Sequence, residues 1–225
     1  MKRYIFLLML ACTCSIYSSC TDNDTERQPA DMEEVVPGTN HNILVAYFSE
    51  PLPDGVDANT SASRVIVNGD LYGSVEYVAT VIGEATGGDM VRIQTASAYP
   101  GTFDELADQA DNERQNNIHP ELSTEIEGFA DYDVIFVGYP IWWYQMPMAM
   151  YSFFDKFDCR GKTVIPFSTH GGSGWSGTLD DIEELVPDAT LVTGYSISRN
   201  STATSREGIL HWLEEIGMTE GGDGE

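Results

Sequence analysis

The stretch VIFVGYPIWWYQMP, residues 134–147, decides the fold. Its first half is apolar at every position rather than at alternate ones, the pattern of a strand covered on both faces in a parallel sheet. Gly138 and Pro140 end that strand. Side chains that are neighbours in an extended chain point to opposite sides, so Trp142 and Trp143 cannot both lie beneath it. At least one indole can face a crevice beyond the strand, where a flat conjugated ligand would stack on it. The alternative is that both rings cover helices as packing.

The same unit recurs on either side. ILVAYF, residues 43–48, is a second continuous apolar run, and MVRIQT, KTVIPFS and ATLVTGYSI supply three more short strands, with Pro166 a mark against a wholly regular fourth one. Helical spacing separates them. Residues 74–85 place Val75, Val78, Val81 and Ile82 on one face, an acidic helix runs from Phe103 to about Glu113, and PELSTEIEGF predicts a further short helix. Pro147 can open a helix with Met150, Phe153, Phe154 and Phe157 on its apolar face. TLDDIEELV and the amphipathic ATSREGILHWLEEIG complete the set, and Asn68-Gly69 predicts a small hairpin after the first strand. Five strands alternating with helices define an α/β three-layer sandwich around a five-stranded parallel sheet, order 2-1-3-4-5. Ligands of such sheets sit beyond the carboxyl ends of the strands, where strand order reverses. The loops after strands one, three and four surround that point.

Charge and termini narrow the function. With 11 basic and 36 acidic side chains in 225 residues the formal charge is −25, which argues against nucleic acid and against anionic lipid head groups as partners. Residues 1–20 have a basic start, an apolar stretch and small residues ahead of Cys20, and are similar to a bacterial lipoprotein signal in which Cys20 becomes the lipidated first residue. Cys12 after MLA is a second candidate, and an ordinary cleaved secretory signal is the simpler reading. Each places the domain outside the cytoplasm; the preferred lipoprotein reading puts it at the cell envelope, periplasmic or surface face, with the membrane reached only through a lipid anchor on Cys20. Residues 21–40 read as a tether, 41–218 as the domain and 219–225 as a disordered tail. If Cys20 is lipidated, Cys159 is the only free thiol, which excludes an internal disulfide, a CxxC redox pair and a cysteine metal cluster. Redox chemistry would then need a bound cofactor.

The chemistry-bearing residues lie in the three loops. Gly73, Ser74 and the N–H of Val75 form a phosphate cradle at a helix start, with Ser49 directly after the first strand as a further hydroxyl. Ser74 as a plain helix cap is the simpler reading. After the fourth strand, Thr169, His170, Gly171, Gly172, Ser173 and Gly174 let the main chain approach a ligand and offer it N–H groups. His170 can bond a carbonyl or ring nitrogen or donate a proton near neutral pH, or can be tied to its own backbone. No GxxxxGK, no GxGxxG after the first strand, no GxSxG and no HExxH occurs, so nucleoside triphosphate, dinucleotide, serine hydrolase and zinc protease readings lack support and no metal is expected.

The blocks ILVAYFS, YDVIFVGYPIWW with a nearby MP, and PFSTHGGSG together resemble the flavodoxin-like superfamily. The resemblance implies FMN held without a covalent bond, its phosphate near Ser49 and Gly73, Ser74 and Val75. The isoalloxazine would lie between Pro140, Ile141, Trp142 and Trp143 on one side and Thr169 to Gly174 on the other, with His170 as the catalytic residue. It implies electron transfer, or quinone- or NAD(P)H-linked reduction, with a redox protein, a quinone or a nicotinamide as partner. Two departures accompany it. The long segment Glu50 to Tyr72 separates Ser49 from Gly73, where familiar flavodoxins have a compact phosphate loop, and TSAS, residues 60–63, can rebuild part of that loop. Tyr144 stands where relatives have a glycine. These departures favour the alternative function, a non-catalytic binding or scaffolding module of the cell envelope that has lost FMN.

Overall fold

The structure, a computed structural model, describes residues 42–50 and 64–219. The signal at 1–20 with Cys20, the tether at 21–40, TSAS at 60–63 and residues 220–225 of the tail lie outside them. β1 (Ile43–Phe48) is followed by the hairpin β2 (Arg64–Val67) and β3 (Asp70–Gly73), then α1 (Ser74–Thr86), β4 (Asp89–Ile93), α2 (Phe103–Gln115), β5 (Val134–Pro140), α3 (Met148–Lys156), β6 (Thr163–His170), α4 (Thr178–Leu185), β7 (Thr190–Leu191), β8 (Tyr195–Ser198) and α5 (Arg206–Glu215). The main sheet runs β4-β1-β5-β6, with β7 and β8 both on the far side of β6, and every pairing in it is parallel. Counting β7 and β8 as one interrupted strand, this is the expected order 2-1-3-4-5.

The continuous apolar runs are explained by two cores. Leu44, Ala46 and Phe48 of β1 and Ile135, Val137 and Tyr139 of β5 face α2, α3 and α4, whereas Val45, Tyr47, Val134 and Phe136 face α1 and α5. Every one of these side chains is buried. Gly138 in β5 is dictated by packing, because a β-carbon there would lie 2.1 Å from the Phe167 ring.

Two expectations are corrected. PELSTEIEGF is not helical: Leu122 bridges Thr95, and Ala96 and Ser123 donate main-chain bonds to Glu121 and Gln94 at 2.7 and 3.0 Å, so the segment extends along the continuation of β4. The hydroxyl of Thr124 accepts the Gln94 N–H at 2.7 Å, an alternative to helix that Ser and Thr readily offer the backbone. The fifth strand is split. Val164 stands opposite Leu191 but Phe167 opposite Tyr195, so an extra residue bulges out between β7 and β8. The bulge lies beside Pro166, which has no N–H to give, and Gly194 approaches so closely that a β-carbon on it would sit 2.5 Å from the Pro166 carbonyl. β6 itself stays paired with β5 from Thr163 to Thr169.

Candidate functional site at the carboxyl edge

The register brings the three loops together. Tyr47 stands opposite Gly138 and Gly138 opposite Phe167, so β1, β5 and β6 end side by side, and the Ile141 N–H reaches the Thr169 carbonyl at 2.9 Å just past the last strand pair. The loop containing Pro140, Ile141, Trp142 and Trp143 is thereby fixed against the one that starts at Thr169 and His170.

At the first loop, Ser49 is buried and its Oγ lies on the β-carbon side of Gly73, the residue that caps α1. A β-carbon on Gly73 would lie 2.0 Å from that oxygen, so only glycine allows the approach. The cap is not Ser74. Ser74 is the first helical residue, fully buried, and its Oγ has no hydrogen-bond partner, while the Gly73 N–H donates to Glu76 Oε2 at 2.8 Å. Ser74 and the buried Val75 occupy the first turn, whose N–H groups have no intrahelical acceptor. Arg92 donates to the Ser49 carbonyl and pairs with Glu50 at 3.3 Å, which pins the end of β1. Burial raises the pKa of Glu50, and Arg92 opposes that shift.

At the second loop the tryptophans part company. Trp142 and Gln145 exchange two main-chain bonds, each 3.0 Å, around Trp143 and Tyr144, whose φ angles are 49° and 63°. Two consecutive positive φ values make a type I′ turn, which ordinarily takes Asn-Gly. The turn sends Trp142 inward, edge-on to Phe48 (5.4 Å) and Tyr99 (5.7 Å), and leaves Trp143 half exposed with its Nε1–H on the Ala107 carbonyl of α2 at 3.1 Å. Tyr144 is 76% exposed. Tyr99 in turn donates to buried Glu113 at 2.6 Å, and burial followed by that bond raises its pKa.

At the third loop, Thr169 is fully buried and its Oγ1, like that of Ser74, lacks a partner. His170 Nδ1 accepts the Gly172 N–H at 3.0 Å, which places the proton of the neutral ring on Nε2. Partial burial lowers its pKa below the ordinary 6.5, so the neutral form prevails at pH 7. Gly171, Gly172 and Ser173 are exposed and Gly174 half-buried; Gly172 and Gly174 have φ values of 131° and 61°. The loop returns to the core at Trp175, against Tyr139, and Tyr139 donates to Thr178 Oγ1 at 2.9 Å while that hydroxyl donates to the Trp175 carbonyl at 2.7 Å.

Two arginines near these loops escaped the sequence reading. Arg64 stands directly opposite Gly73 in the β2–β3 hairpin, and Arg199, whose N–H bonds the His170 carbonyl at 2.9 Å, brings its guanidinium to 3.8 Å from a β-carbon built on Gly171. Their signal is basic charge beside the ligand loops of a strongly acidic chain. A cleft of about 350 Å³ exists at the opposite edge, lined by Asn42, Gly87, Asp89, Glu127, Asp131 and Tyr132 among others. It lies at the amino ends of the strands, where the sheet's topology offers no crevice. Among the described residues no three His, Cys, Asp or Glu side chains are grouped to hold a metal ion, and no helix is long and apolar enough to cross a membrane. Cys159 is buried and its thiol is pushed up to about 12, so it is inert toward redox exchange.

A parallel 2-1-3-4-5 sandwich with helices on both faces is the flavodoxin class. The flavodoxin family profile matches residues 42–216, and the chain belongs to that family. No curated protein matches it by sequence. Among solved structures it is similar to a protein from Bacteroides eggerthii described provisionally as a flavoprotein, with 28% identity and TM-score 0.59 over 79% of this chain and 98% of that one. A counterpart from Bacteroides uniformis, described in the same terms, gives 27% and 0.60 over 78% and 99%. A Lactobacillus acidophilus flavoprotein solved in complex with FMN shares the fold at 16% identity and TM-score 0.51, over 74% and 99%.

Proposed function

We propose that this chain is an FMN-binding redox flavoprotein that passes electrons between a protein or nicotinamide donor and a quinone or protein acceptor. The observation that carries the reading is the pair of fully buried hydroxyl oxygens without partners, Ser74 Oγ at the start of α1 and Thr169 Oγ1 at the end of β6. A buried hydroxyl left unbonded costs about 1–3 kcal/mol, and a polar ligand at this edge relieves that cost. The donor set fits FMN. Ser49, Ser74 and the first-turn N–H groups of Gly73, Ser74 and Val75 would hold the phosphate at the positive end of α1, with Glu76 yielding the Gly73 N–H. Pro140, Ile141, Trp142 and Trp143 would form one wall of the ring site, and Thr169, His170, Gly171, Gly172, Ser173 and Gly174 the other.

Bound FMN supplies the electron-transfer chemistry, which no side chain of this protein provides by itself. The protein's residues position and tune it. Trp143 offers a half-exposed indole face for stacking, and Trp142 buttresses the turn from below. His170, neutral with its proton on Nε2, is a hydrogen-bond donor whose charge stays off at pH 7. The exposed glycines of the third loop offer main-chain N–H groups to negative charge on the ring. We place the protein at the cell envelope, held by lipid on Cys20; the lipoprotein-like residues 1–20 support this, and loss of detergent-phase partitioning in Cys20→Ala tests it.

The function is tested on chain purified without residues 1–20, titrated with micromolar FMN. Quenched flavin fluorescence and a shifted absorbance band are expected; unchanged spectra would return the protein to the binding-module reading. Bleaching of the bound flavin by NADH or NADPH, followed by reoxidation with a quinone, identifies a reductase, and no bleaching identifies a carrier.

A further inference from the structure

Among the described residues one more buried polar atom lacks a hydrogen-bond partner besides Ser74 Oγ and Thr169 Oγ1, and it is the Nε of Arg92. The structure fixes where this guanidinium lies. Arg92 stands beside Tyr47 in the β1–β4 pairing, as Met90 stands beside Val45, so all four side chains share the sheet face that α1 covers. α1 runs against the strands: its start meets Ser49 past the end of β1, and Gly88 past its end meets Ile43 at the start of β1. Met90 touches the helix near its far end, where a β-carbon on Gly83 would lie 2.9 Å from the Met90 side chain. Arg92 is two residues, about 7 Å, nearer the carboxyl edge, a length that takes α1 back by about four to five residues toward its start. The side chain covers the rest of the way, since Nη2 donates to the Ser49 carbonyl, and Ser49 Oγ lies 2.0 Å from where a β-carbon on Gly73 would be. Tyr47 has the same neighbours: burial raises its pKa, Glu76 in the first turn of α1 adds to the rise and Arg92 opposes it, so both charges lie within reach of one phenol.

We propose that Arg92 is the cation that binds the phosphate monoester of the ligand at the start of α1, and that Glu50 is the anion it releases when the phosphate arrives. This rests on the FMN reading and adds to it the residue that selects for the phosphate and the carboxylate that stands in for it. The ion pair is incomplete. One Glu50 oxygen stands 3.3 Å from Nη2, which the Ser49 carbonyl already shares, and the Nε–H is left over. Burial raises the pKa of Glu50 despite Arg92, so the pairing does not repay the desolvation of the carboxylate. A phosphate dianion brings more charge and more oxygens to the same guanidinium, whose Nε–H and Nη2–H form a planar fork that matches two of them. This helix end requires a local cation, because Glu76 takes the Gly73 N–H and the whole chain carries a formal charge of −25. Ser74 Oγ, fully buried without a partner in the first turn of α1, is a further donor there.

The test compares FMN with riboflavin, which has the same ring and no phosphate, on the chain lacking residues 1–20. Arg92→Gln is expected to weaken FMN binding about 10- to 100-fold, the range for one charge-assisted contact, and to leave riboflavin binding unchanged. Glu50→Gln is expected to act the other way, tightening FMN about 2- to 5-fold, the worth of a partly exposed ion pair that no longer competes, with riboflavin again unchanged. That gain is expected to vanish in the Arg92→Gln background, because Glu50 acts through the guanidinium. A pair that only pins the end of β1 would weaken both flavins alike in both variants. That result, or an unaltered preference for FMN in Arg92→Gln, would overturn the role of Arg92 while leaving the FMN reading intact. A Glu50→Gln gain that persists without Arg92 would overturn the exchange, and a parent chain that binds neither flavin overturns the FMN reading as well. Arg92→Lys keeps the charge and loses the fork, so it is expected to recover part of the FMN affinity; it replaces Arg92→Gln in the comparison if far-ultraviolet circular dichroism of the latter departs from the parent.

Discussion

Ser49 Oγ lies 2.0 Å from the point a β-carbon on Gly73 would occupy, so the end of β1 and the start of α1 are in direct contact across the long segment between them. The Gly73 backbone, at φ −64° and ψ 145°, is open to any residue, and the demand for glycine there is therefore steric alone. Gly73→Ala should destabilise the domain by about 1–3 kcal/mol, the usual cost of forcing a side chain into a packed contact. Adding Ser49→Gly should recover most of it, because the oxygen that is struck is gone. Urea denaturation of the two single variants and the double variant measures the coupling; strictly additive losses would show that the two residues do not compete for the same space.

Tyr144 pays a conformational cost for its place in the type I′ turn. An L-residue in the left-handed region loses about 1–2 kcal/mol, and with 76% of its surface exposed Tyr144 makes little contact in return. Tyr144→Gly should therefore raise stability by about 0.5–1 kcal/mol, once the extra freedom of glycine in the unfolded chain is subtracted. A shift of the urea midpoint to higher concentration with an unchanged slope is the expected result. A loss of stability would mean that contacts of the phenol outweigh its backbone cost.

The paired tryptophans should separate into a structural and a binding residue. Trp142 meets Phe48 and Tyr99 edge-on, so Trp142→Ala opens a hole beside two core aromatics and should cost about 2–4 kcal/mol. Trp143→Ala gives up one hydrogen bond to Ala107 and a half-exposed ring, for about 1 kcal/mol. FMN affinity should show the opposite order once compared at temperatures where both variants are folded. Thermal melts and fluorescence titrations read the two effects independently, and a larger affinity loss in Trp142→Ala would put that ring, rather than Trp143, against the ligand.

The parallel sheet was legible because β1 and β5 are apolar at every position, which only a strand with helices on both faces requires. The site loops followed from strand order, with no need for a motif. What escaped depended on contacts between residues distant in sequence. Nothing local to TLVTGYSI announces a bulge, since the cause is Pro166 on the neighbouring strand pressing against Gly194. The extended course of residues 120–126 is likewise fixed by partners at 94–96. The directions of Trp142 and Trp143 hang on two positive φ angles at residues whose type disfavours them, so assuming an extended chain misplaced the turn.

His170 should report the protonation of the site directly. Burial holds its pKa below 6.5, and its Nδ1 accepts the Gly172 N–H only while the ring is neutral. Above pH 6.5 the ring is neutral in both the folded and unfolded chain, and the residue contributes no pH dependence. As pH falls below 6.5 the unfolded chain takes up the proton first, so stability declines, and the decline from this residue ends once pH has passed the lower folded value. The difference in unfolding free energy between the parent and His170→Gln should therefore be flat above pH 6.5 and shift against the parent below it. In the folded protein, imidazole resonances should titrate with a midpoint below 6.5, and the Gly172 amide should move with the same midpoint as protonated Nδ1 turns from acceptor to donor. A midpoint above 6.5 would mean that an acidic neighbour outweighs burial, and would make His170 a cation at the site rather than a neutral donor.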